Sequence, residues 1–225
     1  MEQTRLIPIR ADKARVNQME KYEITLSDTV FDMDYMDVLL GMLPRASRED
    51  VLSVLNLSSY ITIDPRGIDA FPGQIVDENL YEERMKKIKA ADYPAYCLTG
   101  AAGIKAFLAG KDTASFSKQL KELMDKEPGK GKKSRYADRL GAIEMELAVT
   151  PDFKPEDMFI NSIIITAAAN MDGTLYLEDG ETSRKIQGVI EKSERLASLK
   201  ELSAPNSIIK ASRLALKSAV DELYN

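Results

Sequence analysis

Along most of the chain, apolar residues recur either every second position or with a period near 3.6. The switches between these periods mark out its elements. Tyr22, Ile24 and Leu26 alternate with Glu23 and Thr25, which predicts a half-buried strand. Before it, Thr4–Arg10 carries Leu6, Ile7 and Ile9, but Pro8 cannot donate to a ladder and confines this piece to a sheet edge. Val30, Met33, Met36, Leu40 and Leu43 follow a helical period, with Ser27 or Asp28 as cap and Pro44 as stop. Ser47-Arg48-Glu49-Asp50 has the form of a capping box ahead of Val51, Leu52, Val54 and Leu55. Ser58–Asp64 reads as a strand, Asp64–Gly73 as a Pro/Gly loop, and Asp77 as the cap of a charged helix reaching about Ala91.

The second half is more helical. A short helix covers 100–109. Phe116, Leu120, Leu123 and Met124 share one helix face, as do Tyr136, Leu140, Ile143 and Leu147. The Pro128-Gly129-Lys130-Gly131 loop joins these two helices into an αα-hairpin. Pro155-Glu156-Asp157 forms a first helical turn. Phe159–Ala169 is apolar nearly all round and is expected as a central buried helix, with a buried strand at Ile163–Ile165 as the competing reading. Met171-Asp172-Gly173 is a turn, Thr174–Glu178 a strand, and helices near 182–202 and 205–224 close the chain. The expected fold class is α+β, predominantly α-helical: a helical bundle with a small β-sheet contributed mainly by the N-terminal half. The expected organisation is a mixed α/β part over 1–97 and a helical part over 98–225, which can equally form one continuous domain.

Composition removes much chemistry. The 225 residues contain no His, no Trp and one Cys. Histidine triads, His-containing zinc sites and His-ligated haem are therefore excluded within the chain. Cys97 has no internal disulfide partner, which fits a reducing, cytoplasmic compartment. The longest uncharged stretch, Met158–Met171, is 14 residues and contains four polar ones, too short for a membrane span.

The remaining catalytic patterns fail on spacing. Gly129–Ser134 lacks the first Gly of a phosphate-binding loop and follows a helix. Asp32, Asp34 and Asp37 suit the start of a helix better than a cation site, since i and i+2 diverge on a helix. Met171-Asp172-Gly173-Thr174-Leu175 resembles the signature of haloacid-dehalogenase-type phosphatases, but Asn170 stands where that family has its nucleophilic Asp. No cofactor, metal or catalytic residue is assigned.

Charge is the positive signal. The net charge is −5, yet residues 118–139 hold eight basic and four acidic side chains. Lys126, Lys130, Lys132, Lys133, Arg135 and Arg139 could follow a phosphate backbone around a flexible Gly-containing tip. Lys210, Arg213 and Lys217 form a second basic stripe, one face of the last helix. The leading expectation is a non-enzymatic interaction or assembly protein, a subunit or adaptor of a larger complex with a protein partner, of the kind carried by fast-diverging viral or mobile-element lineages. The alternative is a nucleic-acid-binding accessory protein using the basic hairpin 126–139.

Overall fold

The computed structural model describes residues 9–10, 20–65, 70–89, 97–169, 175–177 and 179–224. The turn expected at 171–173, the phosphatase-like motif around it and most of Thr4–Arg10 lie outside the described residues. The fold is α+β and mainly helical. Its strands and helices run β1 (Ile9–Arg10), β2 (Glu20–Phe31), α1 (Met36–Met42), α2 (Arg48–Leu55), β3 (Ser59–Thr62), β4 (Ile75–Asp77), α3 (Glu78–Lys89), β5 (Cys97–Leu98), α4 (Gly100–Leu108), α5 (Thr113–Lys126), α6 (Lys130–Val149), β6 (Phe159–Ala169), β7 (Leu175–Tyr176), α7 (Gly180–Glu201) and α8 (Asn206–Tyr224).

The chain divides into two compact units, Met1–Val30 with Ile160–Asn225, and Phe31–Phe159. The second is thus inserted between the end of β2 and the start of β6. The boundary expected at 97/98 instead falls inside β5, within the inserted unit. The cut is invisible locally because its two ends lie far apart in sequence.

In the first unit, β1, β7, β6 and β2 form one sheet in that order. β1 runs parallel to β7, and β7 antiparallel to β6. Two strands of this sheet therefore come from the C-terminal half. β6 overturns the expected helix at Phe159–Ala169: Ile163, Ile165 and Ala167 are buried while Ile164 is 68% exposed. That alternation is a strand's period of two, and the β-branched run Ile163–Thr166 favours it. Ile24, Leu26, Val30, Ile163 and Ile165 share a core with Ile186, Val189, Leu196, Leu216 and Val220 of α7 and α8. Around this core, Ser193 Oγ accepts from the Ser27 backbone N–H at 2.8 Å.

β2 runs to Phe31, so the helix expected from Ser27 or Asp28 begins later. Thr29, Val30 and Phe31 continue the strand, and Val30 and Phe31 are buried. Asp32 then accepts from Asp34 N–H and starts a 3-10 turn at Met33–Tyr35 that feeds α1. In the inserted unit, both halves of the α2 capping box are present: Ser47 N–H donates to Asp50 at 2.8 Å and Asp50 N–H to Ser47 Oγ at 3.0 Å. β4, β3 and β5 make a second, antiparallel sheet. Helix α6 crosses α1 so closely that a Cβ on Gly41 would sit 2.8 Å from the Ile143 side chain and 2.9 Å from the Arg139 carbonyl oxygen. Leu39, Met42, Leu120, Ile143 and Met158 fill the core on either side of that crossing.

Candidate nucleic-acid interface

The expected αα-hairpin is α5 and α6, and Phe116, Leu120, Tyr136, Leu140 and Ile143 point into the core of the inserted unit. Its connection is shorter than the sequence suggests. Only Glu127, Pro128 and Gly129 lie between the helices, so Lys130, Gly131, Lys132 and Lys133 belong to the first turn of α6. The basic tip is therefore a helix start rather than a flexible loop. No side chain caps this helix, and its opening turns carry Lys130, Lys132, Lys133 and Arg135, all exposed. Cations at a helix N-terminus oppose the macrodipole, so this arrangement does not serve α6 itself. Lys132 lies 3.7 Å from Glu127, the one ion pair these cations make among the described residues. Exposed Lys126 ends α5 beside them in sequence.

Arg139 leaves this set. It is 8% exposed, and its guanidinium donates to the carbonyls of Leu43, Pro44 and Ala46 at 3.3, 2.6 and 2.6 Å. Burial, then the neighbouring Arg135, push its pKa below the usual arginine value. Its partners are the turn that Pro44 forces between α1 and α2, where carbonyls have no helical donors. The i, i+4 spacing from Arg135 to Arg139 is thus divided between a surface and a clamp. Arg135 extends along the Tyr136 ring at 5.7 Å and borders a groove of about 460 Å³ with Arg48, Asp138 and Asp37.

In the other unit, the α8 stripe is largely consumed internally. Arg213 is paired with Asp28 of β2, Lys200 of α7 reaches the same carboxylate at 3.5 Å, and Lys217 pairs with Asp221 at 2.7 Å. Lys210 is half-buried. These pairings are long-range or one turn away, and the sequence stripe alone could not reveal them.

The other candidate groups find structural roles. Asp32 caps a turn and Asp37 lies 3.5 Å from Arg48. Cys97 is buried with its Sγ 3.7 Å from the Thr62 hydroxyl. Burial pushes the thiol pKa up, and Thr62 and Arg84 only partly pull it back. A raised thiol pKa disfavours the nucleophilic thiolate. Among the described residues no group of three or more Cys, Asp or Glu converges, and no helix is long and apolar enough to cross a membrane.

No family model matches the chain. It is similar to proteins named DNA-directed RNA polymerase subunit beta′: 27% identical to that of Desulfosudis oleivorans over 95% of this chain, and 28% and 29% identical to those of Clostridium novyi and Clostridium beijerinckii over 96%. The chain spans only 15–19% of the length of these relatives. By name, each of these relatives is one subunit of a DNA-directed RNA polymerase. The match takes in sequence from both units.

Proposed function

We propose that the chain is a non-catalytic module of a DNA-directed RNA polymerase assembly inside the cell, corresponding to one segment of a β′ subunit. The near end-to-end match carries this reading: it runs through the sequence of both units rather than through one local motif. Two features support the roles within it. The exposed cations Lys126, Lys130, Lys132, Lys133 and Arg135 suit a phosphate backbone, each neutralised phosphate releasing condensed counterions. Leu202, just past the end of α7, is 78% exposed and Ile208, in the first turn of α8, 45%, apolar surface suited to a protein neighbour.

The test is purification of the tagged chain from its native cells at moderate salt. Polymerase subunits in stoichiometric amount, with DNA-dependent RNA synthesis in the complex, are expected; a chain that elutes free of any polymerase subunit overturns the assignment. The nucleic-acid part is tested separately by anisotropy with labelled DNA and RNA. The Lys130→Ala/Lys132→Ala/Lys133→Ala variant should flatten the slope of log affinity against log salt by roughly 2 to 3. An unchanged slope rules out this turn as the contact.

A further inference from the structure

A cleft of about 340 Å³ opens in the inserted unit, lined by none of the cations named above. Its floor is apolar: Met42 and Leu43 at the end of α1, Phe107 of α4 and Phe116 of α5, all buried. Two cations border it. The Arg45 guanidinium lies over the Phe71 ring at 4.7 Å from the centroid, and the Lys111 ammonium over the Phe107 ring at 3.2 Å. Among the described residues no Asp or Glu lines the cleft. The carboxylate next in sequence, Asp112, is taken up capping α5 through the Ser115 N–H at 2.6 Å. Neither Arg45 nor Lys111 has an ion-pair partner among the described residues. In a chain with five more acidic than basic residues, two cations with no carboxylate partner among the described residues beside one apolar hollow are conspicuous.

A cation over an aromatic face packs its apolar stem along the hollow while its head group can still meet an anion at the mouth. Burial pushes the Lys111 pKa down, a cost that an incoming carboxylate would offset. The volume is near the lower end of ligand clefts, about 300–1,000 Å³, and holds one or two large side chains. A nucleobase fits less well. Bases bind by stacking on open aromatic faces, but Phe107 and Phe116 are buried and the cations already cover Phe71 and Phe107.

We propose that this cleft docks an acidic segment of a partner protein, with a large apolar side chain seated on Met42, Leu43 and Phe116 and flanking carboxylates paired to Arg45 and Lys111. The proposal goes beyond the polymerase reading and does not depend on it.

The probe is a fluorescein-labelled decapeptide with a central Phe-Leu pair flanked by Asp and Glu, titrated with the full chain and read by anisotropy at near-physiological salt. Saturable binding is expected. It should weaken about tenfold or more in Arg45→Gln/Lys111→Gln, because a single hydrogen bond to a charged group already accounts for about a decade in affinity. It should weaken similarly for an Asn/Gln version of the peptide and for one with Ser in place of Phe-Leu. Gln119→Trp, which fills the mouth from exposed α5 surface, should block binding with both cations intact, so the outcome does not hinge on one variant's folding. Lys130→Ala/Lys132→Ala/Lys133→Ala should leave it unchanged. The proposal is overturned by absence of binding to the wild-type chain, by equal binding of the neutral peptide, or by indifference to both the charge and the Trp variants. Displacement of the peptide by a short single-stranded oligonucleotide acting through Arg45 and Lys111 would also overturn it, in favour of nucleic acid.

Discussion

The two helical hairpins of this chain carry similar basic stripes and use them in opposite ways. In α5–α6, Lys130, Lys132, Lys133 and Arg135 crowd the uncapped start of a helix and face solvent, with Glu127 as their sole ion-pair partner among the described residues. In α7–α8, the helix start is acidic and capped by Asp179, while Arg213, Lys200 and Lys217 are tied to Asp28 and Asp221. The second arrangement lowers the energy of its own fold. The first opposes the helix dipole and gathers like charges. Charge that does not stabilise the element bearing it is the better candidate for outside use, and this separates two stripes that look alike in sequence.

Removing a cation that truly belongs to the fold should produce the largest effect. Arg139→Ala would take the guanidinium donors from the buried carbonyls of Pro44 and Ala46, leave that of Leu43 with the Ala46 N–H alone, and open space beside α1. A loss of about 3 kcal/mol or more is expected in urea denaturation of the inserted unit. Arg139→Lys should recover only part of it, since one ammonium cannot reproduce the planar fork. A loss below about 1 kcal/mol would return Arg139 to the surface set and weaken the contrast between clamp and contact.

Asp28 is the equivalent lever in the other unit. Asp28→Ala strands Arg213 and removes the Lys200 pairing; Asp28 and Arg213 are partly shielded from water, while Lys200 is exposed. A destabilisation of about 1–2 kcal/mol is expected, less than for Arg139 because the cations can turn to solvent. The same variant frees the α8 stripe. If pairing is what keeps that stripe silent, Asp28→Ala should raise weak, salt-sensitive binding of DNA. Unchanged DNA binding would mean that the stripe lacks the geometry and not merely the free charge.

The surface cations should behave in the reverse manner. Lys130→Ala/Lys132→Ala/Lys133→Ala relieves both the dipole and the mutual repulsion, so thermal stability should stay level or rise by about 0.3–1 kcal/mol per site at low salt. A clear fall in stability would show that these lysines serve the fold after all.

Much of the local structure was legible and most of the long-range structure was not. The Ser47/Asp50 box, the Asp77 cap, the α5–α6 faces and the bounds of α7 and α8 follow from short-range signals, and they appear as expected. At Phe159–Ala169 the sequence leaves helix and strand in competition, because a run apolar on nearly every side carries no clear period. Only pairing within a sheet makes Ile164 an outward residue. Strands of two or three residues, such as β4 and β5, are too short to show alternation. For the candidate interface, the run of lysines is legible in sequence and is exposed, but nothing in sequence sets Arg139 apart from it. What separates Arg139 is a set of carbonyls more than 90 residues away.

The smallest effect concerns how the two helix starts respond to acid. At α7, Asp179 accepts the Thr182 hydroxyl and the backbone N–H groups of Thr182 and Glu181 at 2.9 and 3.1 Å, and these bonds, the hydroxyl's foremost, hold its carboxyl pKa below the usual value. The unfolded carboxyl titrates near 3.9. A folded pKa below that contributes stability that is complete above the unfolded value and disappears as pH falls through the folded one. Protection of the Glu181 and Thr182 amides against hydrogen exchange should therefore decline below about pH 4. Asp179→Asn keeps an oxygen acceptor and cannot ionise, so its protection should be lower at neutral pH and flat across that window. At α6 no side chain caps the first helical N–H groups, and amides of its first turn should show no such step. A matching acid step in α6, or its persistence in Asp179→Asn, would mean that the acid response belongs to the whole fold rather than to the cap.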